Sequence, residues 1–93
     1  MYICANGSYS DIYQSTKENS PVTVAFTLKE ITGKLSDDFV RIHKSTIINI
    51  GYVTKFVGNT VYINGRSFAV GKMYKPFFLE RMNVLGDTHK LLK

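Results

Sequence analysis

Between Phe39 and Leu79 the sequence has no aspartate or glutamate, and the same 41 residues hold six cations: Arg41, Lys44, Lys55, Arg66, Lys72 and Lys75. The 38 residues before them carry a net charge of −2, the middle segment +6 and the last fourteen residues +1, which gives the formal +5 of the chain. A surface of mixed sign serves solubility. A segment of one sign makes a directed field that draws polyanions and steers their approach. Tyrosines and phenylalanines interleave with these cations, so such a surface can meet bases and sugars as well as phosphates. Nucleic acid is therefore the first functional class to consider.

Other scarcities narrow the field. A single cysteine, Cys4, cannot form an internal disulfide, and in its apolar surroundings it reads as a small core residue. No apolar run approaches the ~20 residues of a membrane-spanning helix. The first residues, Met1 to Asn6, carry no cationic leader and no long apolar stretch, so they do not read as a signal peptide. Together these point to a cytoplasmic protein without a membrane partner. Cys4, His43 and His89 are isolated from one another, so no metal and no cofactor is expected. Gly58, Gly65 and Gly71 match no phosphate-loop spacing. His43 and Ser45 share a strand face, but no orienting acid or oxyanion loop accompanies them, and catalysis is not expected.

What remains is a chain of 93 residues, 44% hydrophobic and 20% charged, enough for one domain with a modest core and too apolar for disorder. Its pattern is one of short strands and tight turns. Tyr2 to Cys4 reads as a strand, Ala5 to Ser8 as a turn, Tyr9 to Ser15 as the return strand and Lys17 to Pro21 as a second turn. Val22 to Phe26 is a β-branched, alternating strand. The period then changes. Thr27-Leu28-Lys29-Glu30 has the form of a capping box, and Leu28, Ile31 and Leu35 share one face of a short helix that Gly33 would stop. Phe39 to His43 alternates as a strand with Val40 and Ile42 on one face, and Lys44 to Thr46 is a loop. Ile47 to Ile50 follows until Gly51 breaks it. Val53 to Val57 and Thr60 to Ile63 are strands joined at Gly58-Asn59. Asn64-Gly65, between Thr60 to Ile63 and Arg66 to Val70, is the strongest hairpin signal in the chain. Tyr74, Phe77, Phe78, Leu79 and Met82 form an apolar helical stripe, and Pro76 places the helix start near Lys75. Asn83 onward reads as a loosely held tail. The fold class expected is mainly β with two short helices.

The string Phe39-Val40-Arg41-Ile42-His43-Lys44-Ser45-Thr46-Ile47-Ile48-Asn49 resembles the signature of the LytTR DNA-binding domain: an aromatic, Arg, an aliphatic, His, a polar or basic residue, Ser, aliphatics and Asn. Three further segments resemble that family in order: Tyr2 to Tyr9 its opening hairpin, Phe26 to Glu30 its small helix, and Phe68 to Tyr74 its closing strand and basic junction. The resemblance covers about residues 2 to 82. It implies a DNA-binding domain over 1–83 whose N-terminal strands are in part missing, and a C-terminal tail over 84–93. The implied fold is elongated, with short antiparallel sheets side by side and a small helix between.

The resemblance also implies a function: the output domain of a bacterial transcription regulator, with loops entering successive grooves of double-stranded DNA. The expected arrangement is two protomers on directly repeated sites, with a receiver domain outside this chain. By position, Tyr9, Lys44 and Lys72 fall where base contacts are expected. Arg41, His43, Ser45 and Lys75 fall where contacts to the DNA backbone or support of the loops are expected. Lysine at 72 can donate to guanine O6 and N7 as a flexible ammonium, while Ser45 and Lys75 suit phosphate oxygens. The family often has Ser-Arg where this chain has Gly71-Lys72.

The residues also allow plainer roles. His43 can support the loop through a hydrogen bond, Arg41 can pair with Asp37 or Asp38, Asn49 can be a buried turn amide and Tyr9 can pack on its own hairpin. Two other functions fit the composition: an RNA or single-strand binder with Tyr52, Phe56, Tyr62 and Phe68 as a stacking platform, and a module that docks an acidic partner.

Overall fold

The computed structural model describes residues 2–14 and 20–84. Among the described residues, eight antiparallel strands form two sheets, one of five strands and one of three, accompanied by two helices. The five-stranded sheet is built from β1 (Tyr2–Asn6), β2 (Tyr9–Tyr13), β3 (Val22–Val24), β4 (Phe39–His43) and β5 (Thr46–Asn49), in the order β3-β2-β1-β5-β4. The three-stranded sheet is the meander β6 (Lys55–Val57), β7 (Thr60–Ile63) and β8 (Arg66–Ala69). Helices α1 (Leu28–Thr32) and α2 (Lys75–Val84) complete the framework, with one turn of 3-10 helix at Ile50–Tyr52. The principal extents are 37 × 26 × 21 Å, so the domain is longer in one direction.

Alternation along the strands of the larger sheet divides its side chains between two cores. Tyr2 of β1, Val40 and Ile42 of β4 and Ile48 of β5 face the main core, where they meet Phe56, Val61, Ile63, Val70, Phe78 and Met82 from the small sheet and α2. Ile3 and Ile47, one residue along from Tyr2 and Ile48, point the other way and are covered by Leu28 and Ile31 of α1. Tyr2 joins the two sheets. Its ring stacks on Tyr13 at 4.6 Å and meets Phe68 of β8 at 4.7 Å. Burial pushes the Tyr2 hydroxyl above its ordinary pKa, against the lowering influence of Arg66. Phe78 is wholly buried and lies edge-on to Phe56 at 5.0 Å. Cys4 is half-buried opposite Asp11, and burial first and that carboxylate second push its thiol pKa up.

The local signals explain why the elements begin and end where they do. Asn64 and Gly65 have φ of 49° and 85°, and a two-residue hairpin turn that matches strand twist needs positive φ at both positions. The capping box at α1 is complete: the Glu30 N–H donates to the Thr27 hydroxyl at 3.3 Å, and the Thr27 N–H donates to the Glu30 carboxylate at 2.9 Å. α2 starts at Lys75 with Pro76 in its first turn. Some sequence expectations end differently. β2 stops at Tyr13 and β3 at Val24, and the Phe26 carbonyl accepts the hydroxyl of the fully buried Ser10 at 2.6 Å. Thr46 belongs to β5 and not to the loop. Phe77 leaves the expected apolar stripe and is 64% exposed. Tyr74, Phe78 and Met82 recur every four residues along one face, and Phe77 lies about 100° away on the flank opposite Leu79. Ser15 of the expected return strand, residues 17–19 of the expected second turn and 85–93 of the expected tail lie outside the described residues.

The capping box yields a measurable expectation. The bond from the Thr27 N–H, followed by that from its hydroxyl, holds the Glu30 carboxyl below its ordinary pKa. A depressed folded value means that Glu30 stabilises the fold above roughly pH 4.3, the ordinary glutamate value, and that this contribution is lost as pH falls through its lower folded value. Thr27→Ala is expected to cost about 1 kcal/mol, measured as a shift in urea midpoint at unchanged slope. Glu30→Gln should flatten the acid limb of stability against pH, and an unaltered limb would remove Glu30 from the box.

Candidate nucleic-acid interface

Three turns meet at one end of the domain. β1 pairs with β5 so that Cys4 faces Thr46, and the Ala5 N–H donates to the Ser45 carbonyl at 2.9 Å. This places the β1–β2 hairpin tip beside the β4–β5 turn, Lys44-Ser45. The segment after β8 is fastened to the same place: the Gly71 N–H donates to the Ile42 carbonyl at 2.6 Å. Gly71 has a close-packing reason to lack a side chain. A Cβ there would lie 3.2 Å from the Tyr74 ring and 3.6 Å from the His43 ring. The turn Gly58-Asn59 joins this end through the Val70 N–H, which donates to the Asn59 carbonyl at 2.8 Å.

Between the second and third turns lies an open concavity of about 380 Å³, lined by His43, Lys44, Gly71, Lys72, Met73 and Tyr74. Its lining is mostly apolar and includes no carboxylate. Lys44 and Lys72 are exposed, and among the described residues neither ammonium has a hydrogen-bond or ion-pair partner. Both line the same concavity.

The other expected site residues divide into exposed and held. Tyr9 is 52% exposed at the hairpin tip, opposite Asn6, and does not bury itself on its hairpin. His43 supports the turn as one of the plainer readings expected. Its Nδ1 accepts from the Ser45 N–H at 3.2 Å and lies 2.9 Å from the Ser45 hydroxyl. Acceptance of a backbone N–H at Nδ1 fixes the tautomer with the proton on Nε2. β4 carries one extra residue between Arg41 and His43, and such a bulge re-aims the end of a strand. The alternative pairing of Arg41 with Asp37 or Asp38 is not seen. Arg41 donates to the carbonyls of His43 at 3.3 Å and Lys44 at 2.5 Å, and its guanidinium lies 5.5 Å from the Tyr74 ring centroid. Arg81 reaches Asp37 instead, donating to its carbonyl at 2.7 Å. Lys75 donates to the Asn59 side chain at 2.7 Å. Asn49 is a half-buried turn amide that accepts from the Gly51 N–H at 2.9 Å.

The six cations of the acid-free segment therefore do not form one surface. Arg41, Lys44, Lys72 and Lys75 gather at the three turns. Lys55 and Arg66 lie toward the Asn64-Gly65 end of the small sheet, Lys55 over Tyr62 at 4.6 Å and Arg66 at 6.0 Å from Tyr2. The aromatic platform expected for single strands is not formed either. Phe56 and Phe68 oppose Val61 on the core side of the small sheet, and Tyr62 opposes Lys55 and Ser67 on the other. Sequence reasoning missed Met73, whose signal was an apolar residue beside Lys72 in a polar turn. It also missed Asn59, for which the sequence offers no signal.

Comparison with known proteins agrees with this architecture. The sequence profile of the LytTr DNA-binding domain matches residues 1–83. The chain is also similar to the solved LytTr DNA-binding domain of a Bacillus cereus protein described as a methyl-accepting/DNA response regulator, with TM-score 0.76 and 21% identity over 88% of this chain and 79% of that one. No curated protein matches the chain.

Proposed function

The chain belongs to the LytTr DNA-binding domain family, and from that premise we propose that it recognises double-stranded DNA by sequence, as the output domain of a bacterial transcription regulator. The observation that carries this reading is the convergence of Lys44 and Lys72, both unpartnered among the described residues, on one carboxylate-free groove beside the tip that bears Tyr9. Lys44 and Lys72 read base edges in the major groove, Tyr9 contributes from the hairpin tip, and Ser45 and Lys75 contact phosphate and set register. Arg41 and His43 hold the middle turn in shape. The work is association without catalysis, in the cytoplasm. Two protomers bind direct repeats about one helical turn apart, under a receiver domain carried elsewhere in the same regulator.

Salt dependence tests the electrostatic part. Four cations at the turns imply that log K against log salt falls with a slope of about −4 per protomer on duplex DNA. Lys55→Ala with Arg66→Ala should leave that slope unaltered, because both residues lie at the other end of the small sheet. Selection of bound duplexes from a random pool should recover two equal half-sites. A flat salt response with no recovered sequence would overturn DNA recognition and favour an acidic protein partner.

A further inference from the structure

Met73 is the most exposed large apolar side chain among the described residues, at 83%. It stands beside Lys72 on the rim of the groove, in a turn held at both sides by main-chain bonds: Gly71 N–H to Ile42, and Tyr74 N–H to the Gly71 carbonyl at 2.9 Å. An unbranched thioether left in water on a groove that Lys44 and Lys72 also line covers no part of either core. The groove it borders is mostly apolar, because Gly71 has no side chain and Tyr74 offers its ring. The pattern is thus a cationic donor with an adaptable apolar tip next to it.

One feature of duplex DNA matches that pattern. Thymine alone presents a methyl group at its major-groove edge, next to acceptors that an ammonium can reach. We propose that Met73 is a specificity-determining residue that covers the C5 methyl of a thymine adjacent to the base read by Lys72. The inference rests on the DNA-binding reading above and extends it to a contact that the positions of the cations do not supply. Met suits the role because its flexible, polarisable chain fits an irregular apolar surface.

The test uses a duplex recovered by selection from a random pool, with each thymine replaced in turn by deoxyuridine, which differs only by the missing methyl. For the unaltered protein, one thymine position per half-site is expected to lose roughly fourfold in affinity on replacement, the worth of burying about one methyl group. Met73→Ala should bind the thymine duplex as weakly as the unaltered protein binds the uracil one, and should be indifferent to the exchange at that position. Met73→Leu should restore the penalty. Because Met73 is exposed, thermal unfolding of both variants should match the unaltered protein. If no thymine is sensitive, or if Met73→Ala retains the same sensitivity, the contact does not exist. If the unaltered protein selects no duplex, the DNA-binding reading fails first and this inference falls with it.

Discussion

Lys44→Ala combined with Lys72→Ala is expected to weaken binding to a selected duplex by about 10²–10³-fold while leaving the urea midpoint of the domain unmoved. Each lysine that reads a base edge is worth about 1–3 kcal/mol. Both are exposed and unpartnered among the described residues, so their loss removes no packing and leaves no buried group unsatisfied. The two side chains border one groove, and their effects should couple, so the double variant need not equal the sum of the single ones. The matching control is Lys55→Ala with Arg66→Ala, which removes the same charge from the other end of the small sheet. Net charge alone would predict equal losses. The groove predicts that the control binds within about twofold of the unaltered protein. Lys72→Ala on its own should also relax preference at one base position, and equal losses on selected and random duplex would take Lys72 out of base reading.

Phe78→Ala is expected to remove about 3–5 kcal/mol of folding stability, the usual cost of deleting a fully buried phenylalanine. A 93-residue domain has roughly 5–14 kcal/mol in total, so the variant should be marginal at room temperature. The site explains the size of the effect. Phe78 is wholly buried, edge-on to Phe56, and it is the point where α2 seals the main core. Its removal leaves a cavity between α2 and the two sheets whose core residues it meets. Urea unfolding measures the loss directly. A cost below about 1 kcal/mol would mean that α2 is not integral to the core.

Features specified by neighbours within a few residues were legible: the positive-φ turn at Asn64-Gly65, the capping box at Thr27 and the start of α2 at Pro76 all follow from local sterics and hydrogen bonding. The mainly β class followed from period-two alternation. What alternation does not tell is which face meets a second layer. Phe56 and Tyr62 both sit in alternating strands, yet one is core and the other is not, because the partner layer arrives from Val40, Ile42 and α2. The fate of the cations was similarly hidden. The acid-free segment is a fact of sequence, but its division into four residues at the turns and two elsewhere depends on which end of each hairpin meets the groove. The alternative pairing of Arg41 with Asp37 or Asp38, which proximity in sequence allows, is not made. The bulge in β4 turns the strand end, and the turn carbonyls of His43 and Lys44 take the guanidinium instead.

The seam between Gly71 and Ile42 joins the two lysine-bearing turns through a main-chain hydrogen bond that none of the exposed side chains at 44, 72 and 73 makes. Main-chain atoms are indifferent to what side chains their neighbours carry. If positions 44, 72 and 73 touch base edges as proposed, exchanging them one at a time alters the sequence preferred while the spacing between them is kept.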